Sequence, residues 1–297
     1  MFATVAMMAL AVDNPRSLIV HAHRGGRASR PENTIPAFQF AIAAGAQVLE
    51  LDLAVTKDNV LVVSHYPAIN VGTPSYPGER VCRGSAINGA KETPIRMLTL
   101  DQVRQFDCGS NTLAEFPNQQ AAPGAKIPTF EEVLDLARGN QVQFNVETKI
   151  FPNHPELTPS PAEFVKLMLE PIRKRKLEGR VMLQSFDFRT LQEMRQQAPE
   201  IQRVALFGLP QYDALMGITD PDKDFLSIAR KSSANILSPT MELVTQERVT
   251  AAHGAGLQVV PYTVNKPEDW KKMVDAGVDG IITDDPSGLI AWLKQGH

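Results

Sequence analysis

The sequence predicts a TIM-like (β/α)8 barrel carrying a small insertion after its second strand. Three observations point there. Eight short, β-rich apolar runs recur along the 297 residues, and helix-like stretches separate most of them. Ionisable residues gather at the C-terminal ends of several runs, where barrels of this kind build their sites. A doubly wound open sheet produces the same alternation, and strand counting does not separate the two.

The first run, residues 18–23, ends in His21-Ala22-His23-Arg24-Gly25-Gly26 and precedes a helix-like stretch over 31–44. Asn33-Thr34 supplies helix-start chemistry there. The second run, 47–53, is followed by the polar turn Thr56-Lys57-Asp58-Asn59 and then by Val60 to His65, which reads as a hairpin. A turn centred on Lys57-Asp58 sets Glu50 opposite His65. Residues 66–125 are rich in Pro, Gly and polar side chains and are too long for an ordinary barrel loop. They read as an inserted subdomain over the active-site face, ending where Pro128-Thr129-Phe130-Glu131-Glu132 begins a helix. Its apolar residues Ile69, Val71, Tyr76, Ile87, Met97 and Leu98 either form a small core of their own or offer a surface to an acyl chain. The remaining runs are 142–149, 181–186, 204–209, 235–240, 258–264 and 279–283. Helical patterns over 163–176, 189–197, 246–255 and 267–276 fall among them. The domain division is thus an N-terminal extension over 1–17 and a barrel over 18–297.

Composition narrows the function classes. The chain is 43% hydrophobic and 21% charged, with a formal net charge of -3, and it has no long basic run. Nothing favours a nucleic-acid backbone as partner. An anionic small molecule has to be held by a few local cations or a metal. No segment is long and apolar enough for stable membrane insertion. Met1 to Ala11 reads MFATVAMMALA, which resembles the apolar part and cleavage end of a secretory signal without its positive start. A periplasmic or secreted location is the expectation, with a cytoplasmic one and a plain N-terminal extension as the alternatives. Cys82 and Cys108 lie in the same irregular region; an oxidising compartment lets them form one disulfide, and two free buried thiols is the other reading.

The residues with chemical potential share strand faces. Glu50 and Asp52 stand at i and i+2 in Val48-Leu49-Glu50-Leu51-Asp52-Leu53, so the carboxylates share one face and the leucines the other. Two acids facing a barrel interior are costly unless paired, protonated or metal-bound, and near a strand end they make ligands for a hard divalent cation. A solvated edge strand gives the same pattern. Glu147 shares a face with Asn145 and Lys149; it completes a three-carboxylate set or merely pairs with Lys149. His23 at a strand end suits general acid or base work, its ordinary pKa lying near neutrality, and Arg24 offers a planar fork to phosphate. His21, deeper in the strand, reads as structural. His65 closes the hairpin. Gln184 and Tyr262, on the fourth and seventh runs, are further candidates for substrate contact.

In order along the chain stand His23-Arg24-Gly25, Pro31-Glu32-Asn33-Thr34, Ala37-Phe38, Gly45-Ala46, Glu50-Leu51-Asp52, Thr56-Lys57-Asp58 and Val63-Ser64-His65. Ile127-Pro128-Thr129, Glu147-Thr148-Lys149, Gln184-Ser185-Phe186, Thr263-Val264-Asn265 and Gly277 to Asp284 follow. This set closely resembles the signature of the glycerophosphodiester phosphodiesterase family over residues 18–290. The resemblance implies a TIM barrel with an insertion after the second strand, and calcium or magnesium held by Glu50, Asp52 and Glu147. It further implies His23 and His65 as general acid and base, with Arg24 and Lys149 on the phosphate. It implies attack by a neighbouring glycerol hydroxyl, a cyclic phosphate opened by water, and glycerol phosphate plus an alcohol as products. One position departs from the pattern: Tyr66 stands where the family usually has Asp after the second histidine. A lysophospholipase D or sphingomyelinase-like lipid phosphodiesterase, and a catalytically silent phosphate-ligand binding protein, remain as alternatives. Head group and oligomeric state are not legible.

Overall fold

The computed structural model describes residues 18–219 and 224–296; the signal-like segment of the sequence lies outside them. The chain begins with β1 (Ile19–Ala22), α1 (Ile35–Ala44), β2 (Val48–Val55) and β3 (Leu61–Val63). The inserted stretch contributes β4 (Ala68–Asn70), β5 (Glu92–Pro94) and α2 (Leu100–Val103) before α3 (Phe130–Leu134). Then come β6 (Gln143–Thr148), α4 (Pro161–Arg175), β7 (Val181–Ser185), α5 (Phe188–Gln197), β8 (Gln202–Phe207), α6 (Pro210–Leu215) and α7 (Phe225–Ser232). The last elements are β9 (Ile236–Pro239), α8 (Gln246–Gly254), β10 (Gln258–Val259), α9 (Pro267–Asp275), β11 (Gly280–Thr283) and α10 (Pro286–Leu293).

Eight strands run parallel in the order β10-β9-β8-β7-β6-β2-β1-β11. The sheet is closed into a barrel by backbone bonds between its ends: Asp279 N donates to Val259 O (2.9 Å), Ile282 N to Pro261 O (3.0 Å) and Val264 N to Ile282 O (3.0 Å). An open doubly wound sheet has no such bonds between its edges. The seventh strand is shorter than the predicted run 258–264, because Pro261 has no N–H to give to a ladder.

Strand alternation sorts the side chains. In β2 every residue is buried, as expected where helices cover one face and the barrel interior the other. Leu49, Leu51 and Leu53 join the main core beneath the helices. Val48 points inward with Met182, Val204, Ile236, Val260 and Ile282, one apolar layer that plugs the barrel. Above that plug, toward the strand C-termini, the inward positions become polar.

Helix starts follow local chemistry. Thr34 Oγ1 accepts from Ala37 N at 3.3 Å, so α1 begins at Ile35 and not at Pro31 as the sequence pattern suggests; residues 31–34 form a turn. Thr129 and Glu132 exchange hydrogen bonds in a capping box ahead of α3. The hairpin register differs from the expectation by one residue. Leu53 pairs with Val63 and Val55 with Leu61, so the turn centres on Asp58 and His65 falls opposite Leu51. The cause is a three-residue loop, 57–59, in which Asn59 takes φ 61°, while Thr56 N bonds Val60 O at 3.0 Å.

The inserted stretch has its own small core of Ile69, Ile95, Leu98, Val103 and Phe106 around the Cys82–Cys108 disulfide, with Val71 and Ile87 against it. Tyr76 and Met97 stay outside, 62% and 66% exposed. No helix among the described residues is long and apolar enough to cross a membrane.

Candidate active site

Register and alternation bring three acids together. Asp52 on β2 is level with Glu147 on β6, and Glu147 with Gln184 on β7; Glu50 stands one inward position below Asp52. Glu50, Asp52 and Glu147 each offer an oxygen within 4.8 Å of the other two, and all three are buried. Each is held by named donors. Glu50 Oε2 accepts from Arg24 N (2.9 Å) and Oε1 from Gln184 Nε2 (2.6 Å). Gln184 Oε1 in turn accepts from Asn145 Nδ2 at 2.8 Å. Asp52 Oδ2 accepts from Asn33 Nδ2 at 2.9 Å, and Lys149 Nζ lies 2.8 Å from Glu147 and 3.6 Å from Asp52.

Three carboxylates this close cannot all stay ionised without compensation. Burial raises Glu50 well above the ordinary carboxylate range, and the Asp52 charge pushes the same way. Burial pushes Glu147 up to about 7 against the pull of Lys149. Burial also acts to raise Asp52, but His65, Lys149, Arg24 and the Asn33 bond outweigh it and hold Asp52 below its usual value. Without a cation, therefore, burial favours the protonated form of Glu50 and Glu147. The donor set is all oxygen, clustered and preoriented, which fits a hard divalent ion such as calcium or magnesium; binding one would displace those protons.

The first β-strand delivers a second group. After β1 the backbone turns sharply: Arg24 sits at φ 51°, and Gly25 at φ 84° leaves no room for a Cβ, which would come within 2.8 Å of Ala37. That turn places Arg24 N on Glu50 and aims the guanidinium at Glu32, with Nη1 3.0 and 3.2 Å from its two oxygens. His23 Nδ1 lies 2.5 Å from Asp284 Oδ1. Asp284 is fixed by Asn265, which donates from Nδ2 at 2.8 Å and accepts the Asp284 N–H at 2.9 Å. The ring is thereby oriented with Nε2 left for exchange with a ligand. Burial lowers the His23 pKa, partly offset by Asp284. Among the described residues His65 has no carboxylate hydrogen bond, and its Nδ1 is buried without a partner. Burial, Arg24 and Lys149 lower its pKa well below the ordinary histidine value, so it is neutral.

His23, Arg24, Glu50, His65, Glu147, Lys149, Gln184 and Tyr262 all line one cavity of about 150 Å³ at the C-terminal mouth of the barrel. Asp52 is immediately behind them. Tyr262 donates its hydroxyl to Phe207 O at 3.1 Å and presents its ring to Phe186, which stacks on Tyr212 at 4.5 Å. Together with Leu206 and Leu209 these rings form an apolar wall. Gln184 touches the cavity, but both ends of its amide are engaged by Glu50 and Asn145, which makes it a support for the acid cluster. His21 is buried in the barrel, where desolvation lowers its pKa to about 3, and it takes no part in the cavity lining.

With this geometry, similarity to known proteins becomes specific. The family model described as Glycerophosphoryl diester phosphodiesterase family matches residues 23–287. The chain belongs to this family. A glycerophosphodiester phosphodiesterase of Caldanaerobacter subterraneus is 29% identical over 282 residues, which cover 94% of this chain and 98% of that protein. A solved Silicibacter pomeroyi structure, of a protein assigned to the glycerophosphoryl diester phosphodiesterases, is 32% identical with a TM-score of 0.83 and covers 95% of each chain. A phosphodiesterase of Oleispira antarctica, solved with the product sn-glycerol-3-phosphate, shares the fold at 20% identity and a TM-score of 0.72; the match covers 93% of this chain and 96% of that one.

Within this member of the glycerophosphoryl diester phosphodiesterase family, several site residues carried no role in the sequence reading. Asp284 and Asn265 sit just past the eighth and seventh strands; the rule that sites collect at strand C-termini applied to them as much as to His23. Glu32 and Asn33 stood in a signature motif to which only a helix-start role was given, yet the cap is Thr34 while Asn33 reaches Asp52. Tyr66 lies beside the cluster and not in it. Its ring meets His65 edge-on at 4.7 Å and stacks on Tyr76 at 6.3 Å.

Proposed function

We propose that this enzyme is a metal-dependent phosphodiesterase that cleaves glycerophosphodiesters to glycerol phosphate and an alcohol, with His23 and His65 exchanging the protons. The observation that carries the reading is one cavity lined by two differently prepared histidines, two cations and two carboxylates, with the third carboxylate, Asp52, clustered with them from behind the lining. A divalent cation held by Glu50, Asp52 and Glu147, calcium or magnesium by ligand chemistry, would supply Lewis-acid polarisation of the phosphoryl oxygens. Arg24 and Lys149 share the charge that builds on those oxygens. The neutral His65 takes the proton of the attacking glycerol hydroxyl. His23, whose imidazolium is favoured by Asp284, gives a proton to the departing alkoxide. The P–O bond to the alcohol breaks as the bond to the glycerol oxygen forms, leaving a cyclic phosphate. Water opens that ring with the two histidines in exchanged roles.

The Cys82–Cys108 disulfide supports a periplasmic or secreted location, since such bonds persist in oxidising compartments. A catalytically silent role is disfavoured by the cluster itself. Tyr66 displaces none of its ligands or cations.

Release of glycerol phosphate from a panel of glycerophosphodiesters and lysolipids, by chelated protein supplied with Ca²⁺, Mg²⁺ or Mn²⁺, tests the assignment. Metal-stimulated turnover of a diester with a free glycerol hydroxyl is expected, and its absence across the panel would sink the proposal. A sharper result is expected of Asp284→Asn. Removing the carboxylate lowers the His23 pKa further. Because the general acid works protonated, activity is lost above that pKa, and the alkaline limb of the kcat profile moves to lower pH. The accompanying fall in kcat is on the order of 10²-fold. An unmoved alkaline limb would show that His23 is not the acid.

A further inference from the structure

The turn between β1 and α1 carries Arg24 to the catalytic cavity, and the inserted stretch grips that turn along its length. Arg80 Nη1 donates to Glu32 O at 2.7 Å. Arg27 Nη2 donates to Gly78 O at 3.0 Å and to Glu115 Oε1 at 2.9 Å. Gln119 Nε2 donates to Arg27 O at 2.6 Å and to Arg30 O at 3.2 Å, and Gln120 N to Ser29 O at 3.0 Å. Glu32, Arg80 and Gln119 are buried. The Cys82–Cys108 disulfide ties the segment that carries Arg80 to the one that leads on to Glu115 and Gln119.

Glu32 is the point at which this grip reaches the catalytic cavity. Its carboxylate takes Arg24 Nη1 on both oxygens, at 3.2 and 3.0 Å, and has Arg27 Nε at 3.0 Å. The other donors of Arg24 can then be accounted for one by one. Its backbone N–H is held by Glu50 Oε2 at 2.9 Å. Its Nε is buried without a hydrogen bond and stands 3.6 Å from Asp52 Oδ2. Its Nη2 has no hydrogen bond among the described residues, and Arg24 lines the cavity. The pair with Glu32 therefore decides which donor of the guanidinium is kept back for a ligand. A buried ion pair is weak evidence for stability, but this one removes rotamer freedom before a ligand arrives. An arginine that swings freely loses that freedom on taking up an anion, and a pinned one does not.

We propose that Glu32 is a positioning residue for phosphate recognition: it pins Arg24 so that Nη2 meets the phosphoryl oxygens, and the insertion, through Arg80 and the partners of Arg27, holds Glu32 in place. The inference rests on the phosphodiesterase reading above, in which Arg24 contacts the phosphate. The insertion then sets affinity for the phosphate that every substrate shares, and not the choice among alcohols.

Binding of sn-glycerol 3-phosphate to the metal-loaded full chain, measured by calorimetry, tests this. Glu32→Gln removes the charge that holds Arg24 and should raise the Kd about tenfold or more; Arg80→Met should raise it by a smaller factor. With Glu32→Gln, KM for the ethanolamine and the glycerol diesters should rise by one common factor. The metal-linked rise in melting temperature should persist, because Glu50, Asp52 and Glu147 are untouched. The comparison with Arg24→Ala is decisive. A residue that acts only through Arg24 has nothing left to lose in that background, so Arg24→Ala with and without Glu32→Gln should bind equally weakly. A further loss in the Arg24→Ala background, parental binding by Glu32→Gln, or unequal effects on the two diesters would each overturn the proposal. Should Glu32→Gln fail to fold, Arg80→Met taken through the same cycle decides in its place. A parent that binds neither sn-glycerol 3-phosphate nor inorganic phosphate overturns the phosphodiesterase reading and this one together; a parent that binds, with its variants unchanged, overturns this one alone.

Discussion

His23→Ala and His65→Ala should each lower kcat by about 10²–10⁴-fold, the range that a positioned general acid or base contributes, while the barrel stays folded. The histidines sit at the open end of the barrel, above the apolar plug, so neither substitution opens a hole in the main core. His23→Ala removes the partner of Asp284 Oδ1, but Asp284 keeps both of its bonds to Asn265. The cost of the lost partner is about 1–3 kcal/mol. His65→Ala removes an edge contact with Tyr66 and no hydrogen bond among the described residues. Because the two rings act on one proton inventory, the double variant should be little slower than the worse single one. Initial rates of glycerol phosphate release, beside thermal melts of each variant, check this. A single variant within a few-fold of the parent rate would remove that histidine from the mechanism.

The second large effect concerns the acid cluster. Chelation should abolish turnover and add-back of a divalent ion restore it, and the ion should raise the melting temperature of the parent. At a hundred times its dissociation constant an ion bound only by the folded state adds about 2.7 kcal/mol, which for a chain of this size is roughly 5 °C or more. Glu147→Gln should lose both responses. It should do so with little penalty to the metal-free protein, because the Glu147 carboxyl, pushed up to about 7, is already substantially protonated at neutral pH. Lys149, which loses its 2.8 Å partner, still has Asp52 at 3.6 Å. Thermal melts of stripped and metal-loaded protein give the answer. A full metal-linked rise in the variant would show that the ion binds elsewhere.

The insertion shows why some features were legible and others were not. Its apolar residues admitted two readings, a small core or an acyl surface. Ile69 and Leu98 are core, Val71 and Ile87 pack on it, and Tyr76 and Met97 are exposed. Spacing in an irregular segment has no period from which to read a face. The hairpin register failed for a related reason. Whether the loop holds two or three residues depends on Asn59 taking a left-handed conformation, and a one-residue change moves every cross-strand partner.

By itself the sequence determined where the strands fall, the capping box ahead of α3 and the faces on which Glu50, Asp52, Glu147 and Lys149 lie, because a period of two residues and capping chemistry are local. Ordered motifs also placed the chain beside its family. Only the tertiary structure decided closure of the sheet, through bonds joining residues 259–264 to 279–282. It alone set Asp284 behind His23, 261 positions away in the chain. It likewise turned Gln184 from a candidate for substrate contact into a support of Glu50. These facts depend on which distant strands and loops meet, and no local pattern encodes the meeting of residues far apart along the chain.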